Sequence, residues 1–226
     1  HRPTLSSFVD LSHTRRVLAA LAATNKVDAK TKGRAKRFLS LLQKNPKEKR
    51  SPLIHTTKPI ASGFIPPPYD GGFFSSPNVS YANKGRLAKD PFTGRSYYRS
   101  YATATCDGVL ALLALGVPKT DNRVLDAIRW LERHSSWKRP PGIPPEHSEP
   151  WDESMIYYHC ATRSEVFNKL AIAGDWNQAL HAFLSERQSE DGSFVNLHGR
   201  LMKEDDPILC STLALIALSN AVKESG

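Results

Sequence analysis

Val109-Leu110-Ala111-Leu112-Leu113-Ala114-Leu115 is a run without a charge, and across Val117-Pro118-Lys119 it is followed by a second stretch that closes in Ala127-Ile128-Arg129-Trp130-Leu131. The pair reads as a buried helix, a short link and an amphipathic helix. Val17-Leu18-Ala19-Ala20-Leu21-Ala22-Ala23 and Leu213-Ala214-Leu215-Ile216-Ala217-Leu218 repeat the first half, and Val166-Phe167-Asn168-Lys169-Leu170-Ala171-Ile172 is a weaker copy. Ala35-Lys36-Arg37-Phe38-Leu39 and the stretch from Ala179 to Phe183-Leu184 repeat the second half. A supersecondary unit of this kind cannot bury its apolar face alone, so its copies stack on one another or close into a ring.

Working outward, Ser12 or Thr14 is placed to cap a helix running to about Ala23, and Thr31 starts a second with Ala35, Phe38, Leu39 and Leu42 at helical spacing. The second pair runs from about Thr105 to Gly116 and restarts behind Asp121. The third runs from about Thr162 to Ala173, turns at Gly174 and restarts behind Asp175. A fourth helix opens with Asp206 as cap and Pro207 in the first helical position, where its missing N–H costs nothing. The first helix of each pair is apolar nearly all round and rich in Ala; the second keeps a polar outer face. The expectation is therefore an all-α chain, one domain over residues 1–226, built as an α/α toroid, that is, a double ring of helical hairpins. Three pairs and one inner helix make an incomplete arc, completed by sequence before His1 or by a partner chain. A superhelical solenoid is the rival arrangement. Two insertions rich in Pro and Gly interrupt the plan, Asn45 to about Ser100 and Arg139 to Pro150, and the first is expected to lie over one mouth of the ring.

At 226 residues, 40% hydrophobic and 23% charged, the composition is that of a globular protein rather than a disordered or fibrous one. No apolar run approaches the roughly 18 residues of a membrane span. The net charge of +9 is concentrated between Lys26 and Arg50. Neither a nucleic-acid motif nor interleaved aromatics accompany it, so it reads as a solvated face and not as a nucleic-acid site; attraction to an anionic lipid surface is the second reading. Cys106, Cys160 and Cys210 are too few and too far apart for a disulfide framework, and they read as small buried apolar residues.

After the third outer helix comes Gln188-Ser189-Glu190-Asp191-Gly192-Ser193-Phe194, and the first unit holds the same elements interrupted, Gln43 and then Asp70-Gly71-Gly72-Phe73. These resemble the Gln-Trp repeats of squalene-hopene cyclases and of the wider prenyltransferase and squalene-oxidase repeat superfamily, with Phe for Trp. The resemblance runs from about Asp10 to Ala221 and is closest to bacterial repeat proteins without an established activity. It implies that each Gln ties an outer helix to the turn after it, and that an apolar cavity takes an isoprenoid or similar lipid. It also implies an acid: Lys203-Glu204-Asp205-Asp206-Pro207 stands where the cyclases carry Asp-x-Asp-Asp-Thr, making Asp205 the proton donor and Asp206 its polariser. Lys203 and Pro207 depart from that pattern, and an ammonium beside the acid favours carboxylate over the protonated form that alkene protonation needs. The protein prenyltransferases of this superfamily bind zinc through Asp, Cys and His; His13, His159, Cys160 and Asp107 are of the right types without converging spacing, so neither metal nor cofactor is expected.

Aligning the repeats on Val17, Val109 and Val166, and Ala111 with Ala214, puts Asp10, Ala102, His159 and Asp205 at one equivalent position before each inner helix. Inner-helix N-termini gathered at one mouth favour a carboxylate or an anionic ligand. On this reading Asp10, Tyr157, Tyr158 and His159 line the substrate pocket, and the tyrosine faces stabilise a developing carbocation. The competing reading makes Asp10, Ser12, Asp205 and Asp206 helix caps and His159 a hydrogen-bonded interior residue. Asp10 with Asp205 could also be cast as the paired carboxylates of a glycoside-processing enzyme, although nothing else suggests a sugar site. Two functions follow: a squalene cyclase-like isomerase or prenyltransferase-like transferase working on an isoprenoid, with peripheral membrane contact, or a non-catalytic binding or scaffold module of the same fold.

Overall fold

The computed structural model describes residues 9–43, 68–77, 79–145 and 149–222. Lys44, Lys47, Lys49, Arg50, Pro66-Pro67 and Asn78 of the sequon Asn78-Val79-Ser80 lie outside them. The described residues form eight α-helices and one two-stranded sheet, an all-α protein. The chain divides into two compact units, His1–Arg133 and His134–Gly226, where the repeat pattern led to the expectation of one domain.

The first unit holds α1 (Leu11–Ala23), α2 (Ala29–Gln43), the strands β1 (Leu87–Lys89) and β2 (Ser96–Tyr98), α3 (Ala102–Ala114) and α4 (Asn122–Arg133). Its centre is α3, against which α1, α2 and α4 all pack. Every residue of α3 from Ala102 to Leu112 is buried, because Ala, Gly and Thr let the surrounding helices approach while Val109, Leu110 and Leu112 fill the space between them. Each such Val or Leu contributes roughly 1.5–3 kcal/mol by leaving water. The helix stops where Gly116 takes φ +72°, a left-handed position that glycine adopts without a Cβ clash, and the Gly116 and Val117 N–H groups close on the Leu113 and Leu112 carbonyls. Outside it, α4 buries Val124, Ala127, Ile128, Trp130 and Leu131 and turns Glu132 and Arg133 to solvent.

At the N-terminal hairpin the structure selects one of the caps the sequence offered and moves the start of the second helix. Asp10, not Ser12 or Thr14, caps α1: its carboxylate accepts from the His13 N–H at 2.9 Å, and both hydroxyls donate back to Asp10. The second helix begins at Ala29, with the Asp28 carboxylate accepting from the Thr31 N–H at 2.6 Å. The described part of the first insertion is also folded. Asn83 is fully buried, accepts from the Ser75 and Ser76 N–H groups and donates to the Ser76 carbonyl, and β1 pairs antiparallel with β2 in the register Leu87 to Tyr98.

The second unit holds α5 (Trp151–Ser154), α6 (Ile156–Leu170), α7 (Trp176–Ser185), a 3-10 turn at Arg200–Met202 and α8 (Pro207–Ala221). α8 packs on both α6 and α7. α6 starts at Ile156, well before the expected Thr162, for a reason that lies in residue 204 and is taken up below. Asp206 caps α8 and Pro207 opens it as expected, whereas Asp175 stands at the N-cap of α7 without a side-chain bond.

The buried character expected of all four inner helices belongs to α3 and α6. α8 carries no charge along its length, yet buries only Cys210, Ala214 and Ala217 and leaves Ile208 79% and Leu215 63% exposed. In α1 only Leu11 and Leu18 are buried, and Val17 is 57% exposed.

Candidate functional site

The two Gln-acidic-Gly-aromatic segments are built alike. Gln43, at the end of α2 and buried, donates from Nε2 to the Gly71 carbonyl at 3.0 Å and to the Arg123 carbonyl at 2.7 Å. In the second unit Gln188 Nε2 donates to the Gly192 carbonyl at 2.9 Å. The aromatic that follows each turn is inserted under it: Phe73 and Phe194 are buried, the Phe73 N–H meets Thr105 Oγ1 on α3, and the Phe194 N–H meets Ser211 Oγ on α8. Phe73 lies against Gly108 so closely that a Cβ there would stand 2.6 Å from its ring. Trp130 Nε1 and Ser100 Oγ both donate to the Asp70 carboxylate, which completes the first turn.

The helix starts give a register for the repeats that the sequence alignment missed. Counted from the helix starts, Asp10, Tyr101, Met155 and Asp206 occupy the N-caps of α1, α3, α6 and α8. Ala102 and His159 therefore lie inside their helices and Asp205 lies outside its own, in place of the shared position inferred from aligning the apolar runs. The runs of Ala and Leu are nearly self-similar under a shift of a few residues, so their alignment carries little register information.

The three consecutive acids Glu204, Asp205 and Asp206 divide sharply by environment. Asp206 accepts from the Ile208 and Leu209 N–H groups at 2.8 and 3.4 Å, as an N-cap does. Asp205 is solvent-exposed, with Arg200 Nε 3.9 Å from its carboxylate. Glu204, which the sequence did not single out, is the buried one of the three. Its carboxylate accepts from the Tyr157 N–H at 3.1 Å, the Tyr158 N–H at 2.8 Å and Asn196 Nδ2 at 3.0 Å, while its carbonyl accepts from the Asn196 N–H and from Cys210 Sγ. It serves as the cap of α6 from a distant point in the chain, satisfying donors that helix geometry leaves open at Tyr157 and Tyr158, and this is why the helix starts so early. Burial pushes its carboxyl above the ordinary carboxylate range, against the opposing pull of those donors. No local pattern announces such a residue; only the fold brings it to α6.

His159 is fully buried, its Nε2 2.9 Å from the Ser136 carbonyl and its Nδ1 without a hydrogen-bond partner among the described residues. Desolvation, reinforced by the Arg163 guanidinium, pulls its pKa down to about 3, so the ring is neutral, with Nε2 as the donor. Arg163, also buried, donates to the His134 carbonyl at 2.7 Å and stands 5.1 Å from the Trp137 ring and 5.0 Å from the Phe167 ring. Trp176 closes the group edge-on to Phe167 at 5.6 Å. The faces of Trp137 and Phe167 are thus engaged by a cation of the chain itself; the Tyr157 and Tyr158 faces, expected to steady a carbocation, are not among them. Tyr157 packs edge-on against Phe194, and its buried hydroxyl has no partner among the described residues.

Among the described residues no group of three or more His, Cys, Asp or Glu could hold a metal ion. Two concavities are present in the second unit. A polar cleft of about 550 Å³ is lined by Ser136, Lys138, Arg139, Glu153, Arg187 and Asn196, with Arg139 tied to Asp152 and Glu153. A groove of about 570 Å³ runs between α7 and α8, lined by Ala182, Leu218, Ala221 and Val222 together with the polar Asn177, Gln178 and His181. In the first unit Asp10 lies in a groove between α1 and α2, its carboxylate occupied by His13 and Ser12. Among the described residues no helix is long and apolar enough to cross a membrane. Comparison of the chain with protein-family models, with curated proteins and with solved structures returns no match.

Proposed function

We propose that this chain is a non-catalytic binding module of the squalene-cyclase and prenyltransferase repeat type, an α/α toroid arc whose ligand is an apolar isoprenoid or similar lipid. The observation that carries the reading is the state of the acids at the cyclase-like position. A proton donor to an alkene must be held protonated in a dry site until use. Neither site is dry: Asp206 is taken up as the cap of α8 by two backbone N–H groups, and Asp205 stands in solvent with Arg200 beside it. The buried acid, Glu204, is consumed in holding α6.

Support for the repeat type comes from Gln43 and Gln188, which make the helix-to-turn ties that the resemblance implies. The α7–α8 groove, where Ala182, Leu218, Ala221 and Val222 supply apolar lining, offers a hydrocarbon chain a place to lie. The test is to titrate the protein with farnesol and squalene, following binding by native mass spectrometry, and to incubate it with squalene and farnesyl diphosphate while analysing for products. Binding that weakens at least about tenfold in Leu218→Asp, with no product formed, is the expected result. Product formed by the wild type and abolished in Asp205→Asn would replace this reading by the enzymatic one.

A further inference from the structure

Helix α8 carries no charged residue, and its solvent side holds three large aliphatic side chains. Its buried residues, Cys210, Ala214 and Ala217, form one stripe. Ile208, Thr212, Leu215, Ile216 and Ser219 lie on the opposite side and are all exposed, Ile208 at 79%, Leu215 at 63% and Ile216 at 42%. Among the described residues α8 is the one helix that exposes more than one large apolar side chain. α3 shows how such a helix is covered elsewhere in the chain: it is enclosed by α1, α2 and α4, whereas α8 packs on α6 and α7. The two polar residues on the exposed side of α8 are already satisfied within the helix. Thr212 Oγ1 donates to the Ile208 carbonyl at 2.7 Å and Ser219 Oγ to the Ile216 carbonyl at 2.9 Å, so covering them strands no O–H donor.

Ile208, Thr212, Leu215 and Ser219 follow one another at intervals of four, three and four residues, the spacing by which two helices pack along a common seam. A second copy of the same helix fits that seam. Laid antiparallel, Ile208 meets the partner's Ser219 and Thr212 meets the partner's Leu215, so each aliphatic side chain faces a short hydroxyl-bearing one and the two helix dipoles oppose. No charge is buried on either side, and one twofold axis covers both copies at once. A bilayer matches less well: helices that lie in a headgroup layer carry Lys or Arg beside the apolar face, whereas α8 has neither and opens behind the exposed Asp205 and Asp206. We propose that α8 is the surface through which two copies of this chain associate, antiparallel about a twofold axis, along Ile208, Thr212, Leu215 and Ser219. One helix face is a small interface against the roughly 800 Å² per partner of a standard complex, so the dimer comes apart on dilution. Association through this seam does not depend on whether the α7–α8 groove holds a lipid.

The experiment is sedimentation equilibrium of the full chain over a dilution series, with circular dichroism confirming that each variant is folded. The expected result is a monomer–dimer equilibrium with a Kd on the order of 10 µM, constant within about twofold between low and high salt because the seam holds no charge. Leu215→Asp, at an exposed position, should weaken the dimer at least about a hundredfold by bringing carboxylates into the seam, and Leu215→Ile should retain it. Oxidation of a mixture of the Ile208→Cys and Ser219→Cys variants should join one to the other and neither to itself. A dimer indifferent to Leu215→Asp, or cross-links confined to identical variants, would overturn the proposal. So would a monomer at every concentration, and partition of that monomer onto phosphatidylcholine vesicles would assign the face to a bilayer instead.

Discussion

Two buried residues, His159 and Glu204, set the behaviour of the second unit under acid. His159 is held near a pKa of about 3 in the folded chain against 6.5 as its ordinary value. Between those values the unfolded state binds more protons than the folded one, so the contribution of His159 is complete above pH 6.5 and is lost as pH falls. By pH 5 the loss amounts to about 2 kcal/mol. Denaturant unfolding at pH 7 and pH 5 should show it, and His159→Gln should flatten that dependence. Glu204 acts in the opposite sense: its folded pKa is raised, so the contribution of its ionisation to stability falls as pH rises from the ordinary carboxylate value through the folded one. Its larger effect is structural. Glu204→Ala leaves the Tyr157 and Tyr158 N–H groups buried and unpaired, a cost of about 2–4 kcal/mol, measurable as a lowered unfolding midpoint. Glu204 was not legible in the sequence, because its partners are brought to it by the fold and a lone Glu before an Asp-Asp pair looks like any solvated acid.

At the scale of elements, what the sequence revealed and what it hid have a common physical basis. Helices α3 and α4 were legible because Ala-Leu runs and an apolar stripe are encoded residue by residue. The helical link at Gly116 and the caps at Asp121 and Asp206 were legible for the same reason. The hairpin of β1 and β2 was missed although Asp90-Pro91-Phe92-Thr93-Gly94-Arg95 between them is a turn in its own right, with Gly94 at φ +67° and the Asp90 carboxylate accepting from the Phe92 and Thr93 N–H groups. Strands of three residues are too short for alternation to register. The seam between Phe73 and α3 gives the element-scale prediction. Gly108→Ala puts a methyl 2.6 Å from the Phe73 ring and should cost about 1–3 kcal/mol by overpacking, while Gly33→Ala, which meets nothing, should be neutral or slightly stabilising because alanine favours helix. Thermal unfolding of the two variants side by side separates local crowding from a general intolerance of alanine in place of glycine.

For the molecule as a whole, the division into two compact units means that acid and crowding should act at different places. Hydrogen exchange at pH 5 should lose protection in residues 134–226 ahead of residues 1–133, because His159 belongs to the second unit and α3 has no counterpart to it. The all-α class was legible at this scale, since periodicity accumulates over many residues. The division was not, because both units reuse the same helix pattern and the pattern says nothing of where packing pauses. The three cysteines turn that division into something a chemist can count. Cys106 is buried in the first unit, Cys160 and Cys210 in the second, and burial raises the latter two thiols, Cys210 to about 12, so all three are inert while the chain is closed. An alkylating reagent therefore finds a sulfur only when its host unit opens, and the order in which single and double mass increments accumulate dates the opening of each half without any engineered label.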